Sequence, residues 1–143
     1  MDSRDPRNSM RSGELARLCG VSTDTLRHYE RVGVLPRAPR TESGYRQYPL
    51  SALDRVRLVR RAISVGFTLE ELARVLRIRD KGGAPCRQVR DLALTTLEDI
   101  ERRLEELTLV RDHLQMLLKD WDERLGRTAP GQRAGLLESL GRS

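Results

Sequence analysis

Leu97, Ile100, Leu104, Leu107, Leu114, Leu118, Trp121 and Leu125 recur three and four residues apart, with Val110 or Arg111 filling the step between Leu107 and Leu114. That spacing lays them in one stripe along an α-helix. The residues between are rich in Glu and Arg, as in Glu98-Asp99-Ile100-Glu101-Arg102-Arg103-Leu104-Glu105-Glu106. The run amounts to roughly four heptads of a coiled coil. No second heptad run exists in the chain to cover it, which argues against an intramolecular hairpin. The stripe therefore predicts a homodimer joined along residues 87–125.

Charge divides the chain near the start of that helix. The 143 residues include 27 Lys plus Arg and 21 Asp plus Glu, a net charge of +6. Residues 1–80 carry 16 basic and 10 acidic side chains, and residues 81–143 carry 11 of each. The whole excess thus precedes the long helix, and Lys81 and Lys119 are the only lysines among the basic residues. An anion-binding N-terminal module joined to a neutral dimer helix fits this division.

Several classes are excluded. No stretch approaches the roughly 18 apolar residues of a membrane span. Residues 1–10 lack the apolar core of a secretory signal and read as a disordered leader, which points to the cytoplasm. Cys19 and Cys86 are far apart and in no metal-finger or CxxC spacing. Aromatics make up 3% of the chain, against an RNA-stacking sheet. GxxxxGK[ST], GxGxxG, HExxH and GxSxG are all absent, and His28 and His113 stand alone. No nucleophile–base or metal constellation suggests an enzyme.

Upstream of the long helix the punctuation is that of a helix-turn-helix. Ser12 is a candidate N-cap for a short helix with Leu15 and Leu18 on one face. Gly20-Val21 makes the turn. Ser22 caps a second helix, Thr23–Arg31, with Leu26 and either Tyr29 or Glu30 facing inward, and Gly33 ends it. Residues 34–48 hold Pro36, Pro39 and Gly44 with the β-formers Tyr45 and Tyr48, which reads as a hairpin or wing carrying Arg37, Arg40 and Arg46. A third helix follows Ser51, with Leu53, Val56, Leu58, Val59, Ala62 and Ile63 as its buried stripe. Thr68 and Glu71 form a capping box for a fourth, with Leu69, Leu72, Ala73, Val75 and Leu76 apolar.

The expected fold is all-α with a small β wing: a winged helix-turn-helix followed by a long coiled-coil dimerisation helix. The ranges are the leader at 1–10, a DNA-binding domain with a second helix pair at 11–80, a linker or effector loop at 81–86, the dimer helix at 87–125 and a tail at 126–143 that forms a second candidate effector region.

Such a surface suits double-stranded DNA. The start of a recognition helix, here Thr23-Asp24-Thr25, points into the major groove. Ser22, Thr23 and Thr25 bond phosphate or base edges, Arg27 and His28 lie one turn on, and Tyr29 donates to a phosphate. Arg17, and Arg37, Tyr45 and Arg46 on the wing, complete the expected DNA-binding set, since the planar guanidinium fork suits phosphate. The alternative is that Tyr29 and Tyr45 are core residues and His28 is merely solvated. Two half-sites one duplex turn apart require a two-fold dimer.

The run Val21-Ser22-Thr23-Asp24-Thr25-Leu26-Arg27-His28-Tyr29-Glu30-Arg31-Val32-Gly33-Val34-Leu35-Pro36 resembles the signature of the MerR family of transcriptional regulators. Arg37 and Gly44-Tyr45-Arg46-Gln47-Tyr48 look like its wing, and Gly66-Phe67-Thr68-Leu69-Glu70-Glu71-Leu72 looks like the start of its second helix pair. The resemblance runs from about Ser12 to Leu125. It implies that the dimer coiled coil is antiparallel. It also implies binding to a promoter palindrome and activation by distorting the DNA for RNA polymerase when an effector binds. The other readings are a DNA-binding architectural protein without an effector, and an adaptor whose basic half binds an acidic protein.

The same resemblance places Cys86, within Gly82-Gly83-Ala84-Pro85-Cys86-Arg87, where the heavy-metal-responsive branch has a metal-binding cysteine. That branch usually takes further cysteines from a loop after the long helix. Here residues 120–137 contain Asp120, Asp122 and Glu123 but neither Cys nor His. A helix over 87–125 is about 58 Å long at ~1.5 Å per residue. In an antiparallel pair the two Cys86 would therefore lie near opposite ends. A soft metal ion at Cys86 would need oxygen ligands from the partner, such as Asp120, Asp122 or Glu123. Alternatively Cys86, in a first helical turn with Arg87 and Arg90 nearby, is itself a thiol sensor of oxidants or electrophiles. In a third reading Cys86 senses nothing, and the tail takes an organic ligand or protein partner.

Overall fold

In the computed structural model, which describes residues 8–142, the first regular element is a strand. β1 (Ser9–Arg11) pairs antiparallel with β2 (Gln47–Pro49), in the register Ser9↔Pro49, Met10↔Tyr48, Arg11↔Gln47. Ser9 and Met10 were expected in the leader. Instead Met10 is buried in the core and β1 extends the folded unit upstream of residue 11. Residues 1–7 of that leader lie outside the described residues. The wing is correspondingly smaller than the expected 34–48 hairpin. It closes through an Arg40↔Arg46 bridge and a turn in which the Gly44 N–H donates to the Thr41 carbonyl at 2.9 Å. The strand after it finds its partner at the start of the chain.

α1 (Ser12–Cys19) and α2 (Thr23–Val32) form the helix-turn-helix. The cap of α1 is Arg11, not Ser12, and no side chain caps it. The physical reason is β1: the chain enters the helix straight from extended backbone at Arg11, so Ser12 is already helical. Gly20 ends α1 at φ +67, a conformation only Gly adopts freely. Leu15, Ala16 and Cys19 face the core, whereas Leu18 is 43% exposed and leaves the expected stripe. Ser22 caps α2 as expected, accepting the Thr25 N–H at 3.0 Å.

α3 (Ser51–Ser64) buries Ala52, Val56 and Val59, with Leu53 and Ala62 half-buried. Leu58 and Ile63, expected in that stripe, lie on its exposed flank. α4 (Leu69–Asp80) is capped by Thr68, whose hydroxyl accepts the Glu71 N–H at 3.2 Å. Leu72, Ala73 and Leu76 join Leu15, Leu26, Val34, Leu35, Tyr48, Val56 and Val59 in one core. Between α3 and α4, Gly66 has φ +107, and a Cβ there would lie 2.7 Å from Thr96 Cγ2.

α5 (Cys86–Gly126) is 41 residues long and has no buried residue. Two compact units divide within it. One runs to Thr96 and the other starts at Leu97. The second unit contains the rest of α5 and the short α6 (Leu136–Leu140). There the Trp121 Nε1 donates to Ser139 Oγ at 3.2 Å. Among the described residues, no helix is long and apolar enough to cross a membrane.

Candidate nucleic-acid interface

The outer face of α2 follows from its burial pattern. Leu26, Tyr29 and Glu30 point inward, a spacing of three, one and four that leaves Asp24, Arg27, His28 and Arg31 exposed. Arg27 pairs with Asp24 at 2.9 Å, but both side chains are more than half exposed. Such a pair contributes little and is readily exchanged for a phosphate. Thr23 and Thr25 are half-buried and Ser22 is exposed. The Ser22 and Thr25 hydroxyls lie 2.9 Å apart, so they form one polar unit at the helix start. Arg17 is exposed on α1.

Tyr29 is not on this face. It is 6% exposed, and burial raises its phenol above the usual range. The expected phosphate donor is a core residue because it shares the inward stripe of Leu26. Tyr45, in contrast, is 56% exposed at the wing, with the Arg11 guanidinium 4.8 Å from its ring centre. Of the two tyrosines, Tyr29 is therefore a core residue and Tyr45 is not.

The wing and α2 enclose a cleft of about 540 Å³ lined by Asp24, Arg27, Glu30, Arg31, Arg37, Arg40 and Arg46. Arg31 and Arg40 are outside the expected DNA-binding set; the signal for Arg31 is its place one helical turn after Arg27, and that for Arg40 its place on the wing beside Arg37 and Arg46. Arg46 is only partly available. Its Nε donates to Glu30 Oε2 at 3.2 Å, and its side chain is 25% exposed. Glu30 Oε1 accepts from the Tyr48 hydroxyl. Burial and that carboxylate push the Tyr48 phenol up to about 12. The sequence marks Arg46 only as a DNA contact and Tyr48 only as a β-former, and gives no sign that Glu30 joins them.

A further set of arginines holds the scaffold under this surface. Arg55 Nε donates to the Val34 carbonyl at 2.7 Å, and its fork grips both oxygens of Asp80 at 2.9 and 2.8 Å. Arg60 donates to the Cys19 carbonyl, joining α3 to α1.

Cys86 is exposed as the first residue of α5, and Cys19 is buried. Asp120 bonds Arg124 at 2.7 Å, and Asp122 and Glu123 are exposed. Among the described residues, no group of three or more His, Cys, Asp or Glu is gathered to hold a metal ion.

The seam residues Leu97, Ile100, Leu104, Leu107, Leu114 and Leu118 are all exposed in the protomer. Trp121, expected in that seam, is half-buried and bonded to the tail.

Residues 10–78 match the family described as MerR HTH family regulatory protein, and residues 53–117 match that described as MerR, DNA binding. The mercuric resistance operon regulatory protein of Bacillus cereus is 37% identical over 130 residues, covering 91% of this chain and 96% of that one. The chain belongs to the MerR family of helix-turn-helix regulatory proteins. It is a regulator and not an enzyme. A second MerR-type relative, a probable heavy metal-dependent transcriptional regulator of Haemophilus influenzae, is 35% identical over 106 residues, 74% of this chain and 83% of that one. The MerR fold is matched by a transcription regulator from Ralstonia metallidurans CH34, solved in complex with lead(II), at TM-score 0.77 and 29% identity. That match covers 92% of this chain and 98% of the other.

Proposed function

We propose that this MerR-family chain acts in the cytoplasm as a homodimer that binds a two-fold promoter site and controls RNA polymerase there in response to a heavy metal. The observation that carries the DNA part is the arginine-lined cleft between α2 and the wing, beside an exposed recognition-helix start. Thr23, Thr25, Arg27 and His28 enter the major groove, with Ser22 and Arg17 at its edge. Arg37 and Tyr45 on the wing reach the flanking backbone. Arg31 and Arg40 add charge that fixes register without reading sequence. The dimer follows from the uncovered stripe Leu97 to Leu118, which a second α5 would bury.

The metal part is supported by the relatives, two of which are named for mercuric resistance and heavy-metal dependence. Cys86 is the soft donor, exposed on α5. One protomer lacks the remaining donors, so the oxygens of the partner's Asp120, Asp122 or Glu123 complete the set. A thiolate with oxygen donors favours ions softer than Mg²⁺ or Ca²⁺.

The test is run-off transcription from a promoter carrying a duplex selected from a random pool by the protein. Wild type and Cys86→Ser are compared across Hg(II), Pb(II), Zn(II) and Cu(I). Induction of wild type by at least one ion, lost in Cys86→Ser, is expected. Equal induction of both proteins by every ion that works would remove Cys86 from the sensor. No induction by any ion would sink the metal reading.

A further inference from the structure

Glu30 occupies a place that electrostatics alone would not give to an acid. It lies in the last turn of α2, is 9% exposed as a residue, and lines a cleft otherwise rich in arginine. A negative charge there opposes an approaching phosphate. Both of its oxygens are engaged by the strand that returns from the wing. Arg46 Nε donates to Oε2 at 3.2 Å and the Tyr48 hydroxyl donates to Oε1. Arg46 and Tyr48 are two residues apart in extended chain, so both side chains fall on the same face. That strand is also paired along its backbone with β1. The carboxylate is therefore the joint between the recognition helix and the wing.

We propose that Glu30 is a positioning residue for DNA recognition: through Arg46 and Tyr48 it sets the wing against α2, so that major-groove and flanking backbone contacts are made together. In this role Arg46 serves DNA binding through Glu30 more than through a phosphate. The inference rests on the DNA-binding reading above. It adds a residue that touches no DNA and whose charge has the wrong sign for doing so.

That sign makes the test sharp. Glu30→Gln removes a negative charge from a DNA-facing cleft, so an electrostatic role alone predicts tighter binding. A positioning role predicts weaker binding to the selected duplex and little change on alternating dI–dC duplex. The expected loss is about tenfold for the selected duplex, with the dI–dC affinity within about twofold of wild type, because register and not charge is what fails. Glu42→Gln, which removes the same charge from the wing turn, is expected to bind at least as tightly as wild type. Tyr48→Phe removes the other arm of the joint, keeps all charges, and is expected to lose specific affinity in the same way. It carries the test if Glu30→Gln does not melt cooperatively. A Glu30→Gln protein that folds and binds the selected duplex as tightly as wild type, or tighter, overturns the proposal. So does a Tyr48→Phe protein with undiminished specific binding. If wild type selects no sequence from the pool, the DNA-binding reading itself has failed, and this proposal with it.

Discussion

Ser22 and Thr25 hold each other at the start of the recognition helix: their hydroxyl oxygens lie 2.9 Å apart, and the Thr25 N–H donates to Ser22 Oγ at 3.0 Å. Both residues were expected at the DNA on sequence grounds. The geometry gives them a prior task, which is to satisfy an orphan N–H and fix the angle at which the helix leaves the turn. Ser22→Ala should cost about 1 kcal/mol of stability. Urea unfolding measures it. A change below about 0.3 kcal/mol would mean that water replaces the cap, as happens at weakly held helix ends.

Asp80 supplies a pH-dependent contribution of known sign. The hydrogen bond from Arg55 holds its carboxyl below the ordinary value, against a smaller effect of burial. Folding therefore favours the ionised form. The contribution is complete above the unfolded carboxyl pKa of about 3.9 and fades as pH falls through the folded value. Asp80→Asn should be less stable than wild type at neutral pH, and the gap should narrow in acid, as pH falls below the unfolded carboxyl value and through the lowered folded one. Paired urea curves at neutral and acid pH check this. A gap that stays constant with pH would show that the Arg55 interaction is not ionic in effect.

Gly66→Ala should be destabilising for two separable reasons. A φ of +107 strains any residue with a Cβ, and the new Cβ would lie 2.7 Å from Thr96 Cγ2. Strain of this kind costs about 1–3 kcal/mol, and overpacking typically costs about 1–3 kcal/mol. Adding Thr96→Ser deletes the clashing methyl and should restore only the second part. Full restoration would show that the backbone carries no strain there.

Leu107 is 64% exposed in the protomer, in the middle of the uncovered stripe. Leu107→Glu places a charge in a seam that a second helix would cover, and should turn the dimer into a monomer in sedimentation equilibrium. Affinity for the selected duplex should fall with it, because a monomer holds one half-site. A Leu107→Glu protein that remains dimeric would locate the dimer interface elsewhere.

The long-period features were legible in the sequence. α2, α4 and α5 each span several turns, and Ser22, Gly33 and Thr68 mark the ends of the first two with side-chain or backbone chemistry that acts locally. β1 was not legible, because three residues have no periodicity and their partner lies near residue 48. That strand also displaced Ser12 from its expected cap. The contents of the apolar stripes were only partly readable. Leu18, Leu58 and Ile63 have the right residue type, but they sit about 100° or less from the buried line, which composition cannot resolve. Tyr29 is misplaced for a related reason: a polar side chain on a helix beside a DNA face looks like a contact until it is seen to share the inward stripe of Leu26.

If the basic half of this chain grips a duplex backbone, its affinity for DNA must fall steeply with salt. Affinity for the selected duplex is measured by fluorescence anisotropy over a series of salt concentrations. Each phosphate neutralised contributes about −0.9 to the slope of log affinity against log salt. With Arg27, Arg31, Arg37 and Arg40 at the cleft of each protomer, the slope is predicted to be steeper than about −4. Arg37→Ala should make it shallower by roughly one for each phosphate that the Arg37 guanidinium neutralises. A slope near zero would mean that the arginine-lined cleft does not meet the DNA backbone.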